Sequence, residues 1–249
     1  MQNIPKSHPR YKSLITRETI SEAMKQGLVH ETGLIAHGRG EAFDYLLGET
    51  TIPAADAAEK TAAAALLLAK NPVISINGNV AALAADECIR LAYSIPAKLE
   101  INLFHRSQNR MKKIAAMLRK KGVQTLYGLN PDARIPGLDS DRALCEKEGI
   151  FSSDVVLVPL EDGDRCQALK KMGKTIIAID LNPLSRTAQT ATITIVDNVI
   201  RAIPRIEHWV SIYKEEKPDA LERLIREWDN ANNLFQVRYF LSKRLNSLS

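Results

Sequence analysis

The sequence predicts an α/β protein: a mostly parallel sheet flanked by helices, with helical additions at both ends. Three observations carry that reading. Short β-branched runs without charge, such as Thr175–Ile179 and Thr192–Val196, read as strands buried on both faces, the habit of parallel sheets. Helical stretches separate the runs, and such alternation implies right-handed crossovers. Each run ends in a polar or glycine-containing turn, so chemistry collects at the carboxyl ends of strands, where open parallel sheets bind ligands.

The 249 residues could form one large α/β domain or two small ones, and no low-complexity segment, repeat or obvious linker divides them. One domain over 1–249 is expected. It has a helical N-terminal part with a glycine-rich loop (1–70), a sheet core (73–206) and a helical tail (207–249). The longest uninterrupted apolar run, Ala62–Ala69, falls short of the ~20 residues of a membrane span. The polar start of the chain offers no apolar signal core. A cytoplasmic protein without a membrane partner is expected. Cys88, Cys145 and Cys166 are widely spaced and form no CxxC, which suits small buried residues better than a disulfide or zinc framework. The net charge of +5 leaves nucleic acid or anionic small molecules open as partners.

The elements follow in order. Two prolines make residues 1–12 an arm. Leu14 to Gln26 reads as a helix with Ser13 as N-cap and Gly27 at its end, and Arg17 lies beside its apolar stripe. Gly38-Arg39-Gly40 starts a phosphate-binding glycine pattern that fails at Phe43, so it is a weak dinucleotide fingerprint but a suitable loop for bringing backbone N–H groups and Arg39 to an anion. His37 beside it reads as a base or, preferably, a hydrogen-bonded core group. Alanine-rich Ala54–Lys70 is a buried helix closed by Pro72. Strands are then expected at Val73–Ile76, Ala97–Phe104, Val123–Gly128, Val155–Leu160, Thr175–Ile179 and Thr192–Val196. Helices are expected at Val80–Tyr93, Asn109–Lys121 and Cys166–Met172. Residues 198–213 form a helix that Pro204 should kink or break. Pro218–Trp228 and Asn230–Leu248 make the tail, with Leu234, Val237, Leu241 and Leu245 at helical spacing.

The rim of the sheet gathers Arg17, Arg39, Arg106, Arg134, Arg165 and Arg186 with Glu41, Asp44, Glu161, Asp162, Asp164 and Asp180. Mixed signs of this kind suit a nucleotide, a magnesium ion and a second substrate. Neither GxSxG, a Cys–His pairing nor a Walker A motif is present, which favours positioning and charge neutralisation over a covalent nucleophile. The paired tips Asp180-Leu181-Asn182 and Asp197-Asn198 also have a plainer explanation as Asx turns. A nicotinamide-dependent oxidoreductase would need the glycine fingerprint that is incomplete here. Nucleic-acid binding would use Arg106, Arg110, Lys112, Lys113, Arg119, Lys120 and Lys121, a cluster more simply read as a solvated helix face, with no interleaved aromatic residue to stack bases.

Seven ordered blocks carry a more specific signal: GLIAHGRGEAFDYL, SINGNVAAL, LEINLFHRS, RIPGL, VPLEDGDR, IDLNPLSRTA and TIVDNVIRA. Together they resemble the archaeal phosphopantothenate synthetase family, also named 4-phosphopantoate–β-alanine ligase, from about residue 4 to about residue 206. The resemblance implies a homodimer with a Rossmann-like core. It implies ATP and Mg²⁺, the substrates 4-phosphopantoate and β-alanine, and the products 4′-phosphopantothenate, AMP and pyrophosphate, on the route to coenzyme A. ATP contacts carry over onto Arg17, Arg39, Asp180, Asn182, Arg186 and Asn198, with Leu181, Thr187 and Val199 in the same segments. Arg39 and Arg186 are expected to neutralise phosphate, and Asp180 and Asn182 to hold ribose or adenine. Asn77, Gly78 and Asn79 at a helix start, with Arg106 and Arg134, are expected to take the phosphate and carboxylate of phosphopantoate. Glu161, Asp162 and Asp164 are candidates for Mg²⁺ or the β-alanine ammonium, and the metal ligands stay open.

Overall fold

The computed structural model describes residues 4–160 and 162–247. Three helices open the chain: α1 (Tyr11–Lys25), α2 (Glu31–Leu47) and α3 (Pro53–Leu68). Strand β1 (Pro72–Ile76), short helices α4 (Gly78–Leu83) and α5 (Ala85–Ser94), strand β2 (Lys98–Ile101) and helix α6 (Gln108–Lys120) follow. A small antiparallel hairpin, β3 (Ala133–Arg134) and β4 (Leu144–Cys145), carries a 3-10 turn at Asp141–Ala143 and leads into a π-helical turn at Lys147–Phe151. Then come β5 (Val155–Pro159), α7 (Gly163–Lys171), β6 (Thr175–Ile179), α8 (Arg186–Thr190) and β7 (Ile193–Ile195). Helices α9 (Val199–Tyr213), α10 (Pro218–Arg226) and α11 (Asn230–Asn246) close the described chain.

Among the described residues the main sheet has five parallel strands in the order β2-β1-β5-β6-β7. The winding reverses between β1 and β5, and at such a switch point the connections leave in opposite directions and open a crevice at the strands' carboxyl ends. Both faces are covered, as the charge-free strands require. Ile74 and Ile76 of β1 pack with α3, α5, α6 and α9, while Val73 packs with α7 and the hairpin. Cys88, Cys145 and Cys166 are buried, as small core residues.

Several elements differ from the sequence reading. The glycine-rich stretch is not a loop: Gly38, Arg39 and Gly40 lie inside α2, so no dinucleotide-type turn exists there. Val123–Gly128 is not a strand. Gln124 and Thr125 are exposed, and the segment touches the β2 edge through the single bridge Glu100–Tyr127. The chain leaves that edge at Gly128, where φ is 90° and a Cβ would stand 2.1 Å from the Ile101 carbonyl oxygen. The helix expected over Val80–Tyr93 breaks at Ala84 (φ −145°, ψ 27°) into α4 and α5. α1 begins at Tyr11, and Ser13 gives its hydroxyl to Glu41 (2.5 Å) instead of capping. The connector after β6 contains α8, capped by the Ser185 hydroxyl, which accepts from Ala188 N at 2.9 Å. Pro204 does not break α9, which runs continuously through it.

Candidate active site

Two cavities open side by side at the carboxyl ends of the strands, and α2 roofs both. One, of about 370 Å³, sits at the switch point. Asn77 from just beyond β1, Leu160 and Asp162 from beyond β5, and Leu103, Phe104 and His105 from beyond β2 line it, with Arg110 and Arg142. The other, of about 510 Å³, is lined by Gly163, Asp180, Leu181, Asn182, Ser185, Arg186 and Thr187, beyond β5 and β6. Ala36, Arg39 and Leu160 line both. Arg39 is thus the cation at the junction among the described residues.

Helical periodicity explains this placement. Ala36, Arg39, Gly40 and Phe43 lie on one face of α2 and meet the larger cavity. His37, Glu41 and Asp44 lie on another and meet a separate cavity of about 280 Å³, with Arg10, Asn198 and Arg201. α2 therefore splits the nine ATP contacts that the resemblance implies. Arg39, Asp180, Leu181, Asn182, Arg186 and Thr187 come together. Arg17, Asn198 and Val199 do not join them. Arg17 holds Glu41 at 2.8 Å, Asn198 donates to Asp44 at 2.8 Å, and Val199 is buried.

In the larger cavity Asp180 is nearly buried. Its carboxylate accepts from Asn182 N (2.9 Å) and from the Ser185 hydroxyl, so the tip is an Asx turn as well as a cavity wall. Burial raises its pKa, against the opposing pull of those hydrogen bonds and of Arg39. Arg186 pairs with Asp164 at 2.8 Å, both well exposed, a contact worth at most about 1 kcal/mol and easily exchanged for a phosphate. Gly163 lets Arg186 pass, since a Cβ there would lie 2.8 Å from Arg186 Cβ.

In the smaller cavity Asn77 caps α4 and donates to the Pro159 carbonyl (2.9 Å), tying β1 to β5 across the switch point. Gly78 admits Leu28 and Arg110, whose oxygen and Nη2 would lie 2.6 and 2.8 Å from a Cβ. Asn79 is buried and donates to Gly33 O of α2 at 2.9 Å. Asp162 caps α7 and pairs with buried Arg142 at 3.3 Å. His105 stacks on His30, ring centroids 3.9 Å apart.

Two expected substrate contacts lie elsewhere. Arg106 turns to the Gly128 carbonyl (2.7 Å) and lines a different cavity. Arg134 is exposed on the hairpin and donates to Leu138 O and Asp139 O, both at 3.1 Å. Asp197 is also no ligand donor: it is buried, accepts from Thr51 (2.6 Å) and pairs with Arg201. Glu161 lies outside the described residues. His37 is not a hydrogen-bonded core group, because its buried Nε2 has no partner among the described residues; burial lowers its pKa.

Three cavity residues escaped the sequence reading. Arg110 was expected on a solvated face, but it is half-buried and donates to Leu28 O (3.1 Å) and His105 O, while its Nε finds no partner among the described residues. Burial lowers its pKa. Its signal was its position at the start of the helix that leaves the β2 tip. Arg142 sits in a 3-10 turn, far in sequence from any strand tip of the main sheet, and His30 caps α2; neither carries a periodic signal.

The family described as phosphopantothenate/pantothenate synthetase matches residues 54–244. Relatives named 4-phosphopantoate–β-alanine ligase are similar over the whole length. The Thermococcus onnurineus protein is 54% identical and the Thermococcus kodakarensis protein 52%, each alignment spanning 100% of this chain and 96% of the relative. The Methanosarcina mazei protein is 49% identical across 100% of this chain and 98% of its own length. The chain therefore belongs to the phosphopantothenate/pantothenate synthetase family.

Proposed function

We propose that this chain joins 4-phosphopantoate to β-alanine, using ATP and releasing AMP and pyrophosphate, in coenzyme A biosynthesis. The observation that carries the proposal is the pair of cavities meeting at Arg39. A carboxylate is a poor electrophile and must be activated. Its oxygen attacks the α-phosphorus of ATP, pyrophosphate leaves, and the amine of β-alanine then displaces AMP from the acyl carbon. Two anions meet in the first step, and a cation at the junction lowers that repulsion.

The larger cavity is assigned to ATP, with Asp180 and Asn182 toward ribose or adenine and Arg186 toward phosphate. The smaller cavity is assigned to phosphopantoate, with Arg110 and Arg142 as cations and Asn77, Gly78 and Asn79 as its floor. Magnesium fits this donor set. The described residues hold no cluster of three metal-binding side chains, but Mg²⁺ bound with ATP needs only one or two carboxylates. Among the described residues Asp162, Asp164 and Asp180 are acids available to it, and the ion would neutralise phosphate charge. The homodimer belongs to this reading; exposed Ile35, Tyr45, Phe235 and Tyr239 are apolar surface that an assembly would bury. No helix among the described residues is long and apolar enough to cross a membrane, and a cytoplasmic setting is part of the proposal.

Incubation with ATP, Mg²⁺, β-alanine and 4-phosphopantoate tests it. AMP and 4′-phosphopantothenate are expected; ADP would point to an acyl-phosphate route and overturn the adenylate.

A further inference from the structure

Outside the paired cavities, the groove between α6 and the loop at 129–131 encloses about 480 Å³. Its volume lies between those of the paired cavities, so it suits a molecule better than a lone ion. Arg106, Lys112 and Arg119 line it, and no Asp or Glu does among the described residues. Met111 and Leu129 add an apolar wall. Two other α6 cations are engaged: Lys113 donates to Gln26 O (2.8 Å) and Lys121 pairs with Asp86 (2.8 Å). Lys112 and Arg119 have no such partner among the described residues. The Nη2 of Arg106 is held by Gly128 O, but its Nη1 is buried with no hydrogen-bond partner among the described residues. An unsatisfied buried guanidinium nitrogen is unfavourable, and a small outward turn of Arg106 would bring it to an oxyanion in the groove, its natural complement.

We propose that this groove is a second anion site, which takes a small organic phosphate: the phosphate on Arg106, Lys112 and Arg119, the apolar part against Met111 and Leu129. The site lies back to back with the smaller of the paired cavities, because His105 lines that cavity and the next residue, Arg106, lines this one. The proposal does not depend on the ligase reading.

The test follows the Met111 methyl by NMR in the full chain carrying [¹³C-methyl]methionine, with Met111→Leu to assign the signal. Phenyl phosphate is the probe and inorganic phosphate the comparison. The expected result is a saturable shift of the Met111 signal by phenyl phosphate, at a concentration at least tenfold lower than inorganic phosphate requires. Arg119→Gln should weaken the response, and Lys112→Glu/Arg119→Glu should abolish it while the protein melts as the parent does. An unmoved Met111 signal, or the same response in the double variant, overturns the proposal. Equal potency of the two phosphates overturns the organic class. If the double variant instead changes mass by light scattering and phenyl phosphate does nothing to the parent, the groove is a contact between copies and the anion site is wrong. Should the double variant fail to fold, Arg119→Gln alone decides, since an unchanged affinity there also contradicts the site.

Discussion

Arg39 leaves α2 on the face that meets both cavities, while His37 and Glu41, two residues away on either side, leave on another. Arg39→Ala should therefore lower turnover about a hundredfold, or about 3 kcal/mol of barrier, with little change in melting temperature. Steady-state kinetics with a parallel melt check this, and near-normal turnover would remove Arg39 from the junction. Glu59 shows a titration far from the site. It is fully buried in α3, accepts from Arg205 at 2.8 Å, and its second oxygen has no partner among the described residues. Burial above all pushes its carboxyl up from 4.5 to about 8. The unfolded chain thus ionises first, so this group's stability is complete below pH 4.5 and is lost as pH rises to about 8. Glu59→Gln should flatten that slope, with a higher melting temperature than the parent at pH 8 and no advantage near pH 4.5. Parallel melting curves across the range would contradict the assignment. Sequence alone pointed to Asp180, Asn182 and Arg186 because they directly follow a β-branched strand. It could not point to Arg142, whose place in the cavity depends on how a 3-10 turn packs over the switch point.

The element on which the site depends is α2, and its composition argues against a helix. Gly33, Gly38 and Gly40 each weaken it by roughly 1 kcal/mol relative to alanine. Packing overrides that tendency, which is why the glycine-rich stretch reads as a loop and folds as a helix. Asn79 holds its N-terminal half through Gly33 O, and Arg201 and Asn198 hold Asp44 near its other end. The glycines therefore differ in role. A Cβ on Gly33 would lie 2.5 Å from Asn79 Oδ1 and 2.9 Å from Val29 Cγ1, whereas one on Gly38 meets nothing within 4 Å among the described residues. Gly38→Ala should stabilise the protein by about 0.5–1 kcal/mol. Gly33→Ala should cost about 1–3 kcal/mol and lower turnover by displacing Arg39. Thermal melts with kinetics separate the two, and equal shifts of the same sign would contradict this account of how α2 is mounted.

At the scale of the molecule, the alternation of charge-free strands and helices made the parallel sheet legible from the sequence. The strand order was not, because crossover lengths do not say on which side of β1 the chain turns. That order creates the switch point and so the cavity. The tail is also part of the site's support. Asn230 accepts from Thr194 N (2.8 Å) on the edge strand, and Leu234 and Val237 pack in one cluster with Leu181 and Ala188, two residues that line the larger cavity or flank its lining. Leu245, expected on the same packing strip, is exposed. Removing residues 229–249 should cost about 3 kcal/mol or more from those two buried side chains alone and lower solubility by opening the β7 edge. A truncated chain that melts as the parent does would show the tail to be dispensable.

The central claim is that a carboxylate oxygen in one cavity reaches the α-phosphorus in the other. Turnover of 4-phosphopantoate labelled with ¹⁸O in its carboxylate tests this directly. The account predicts one ¹⁸O in the phosphate of AMP by mass spectrometry; unlabelled AMP, or label in inorganic phosphate, would contradict it.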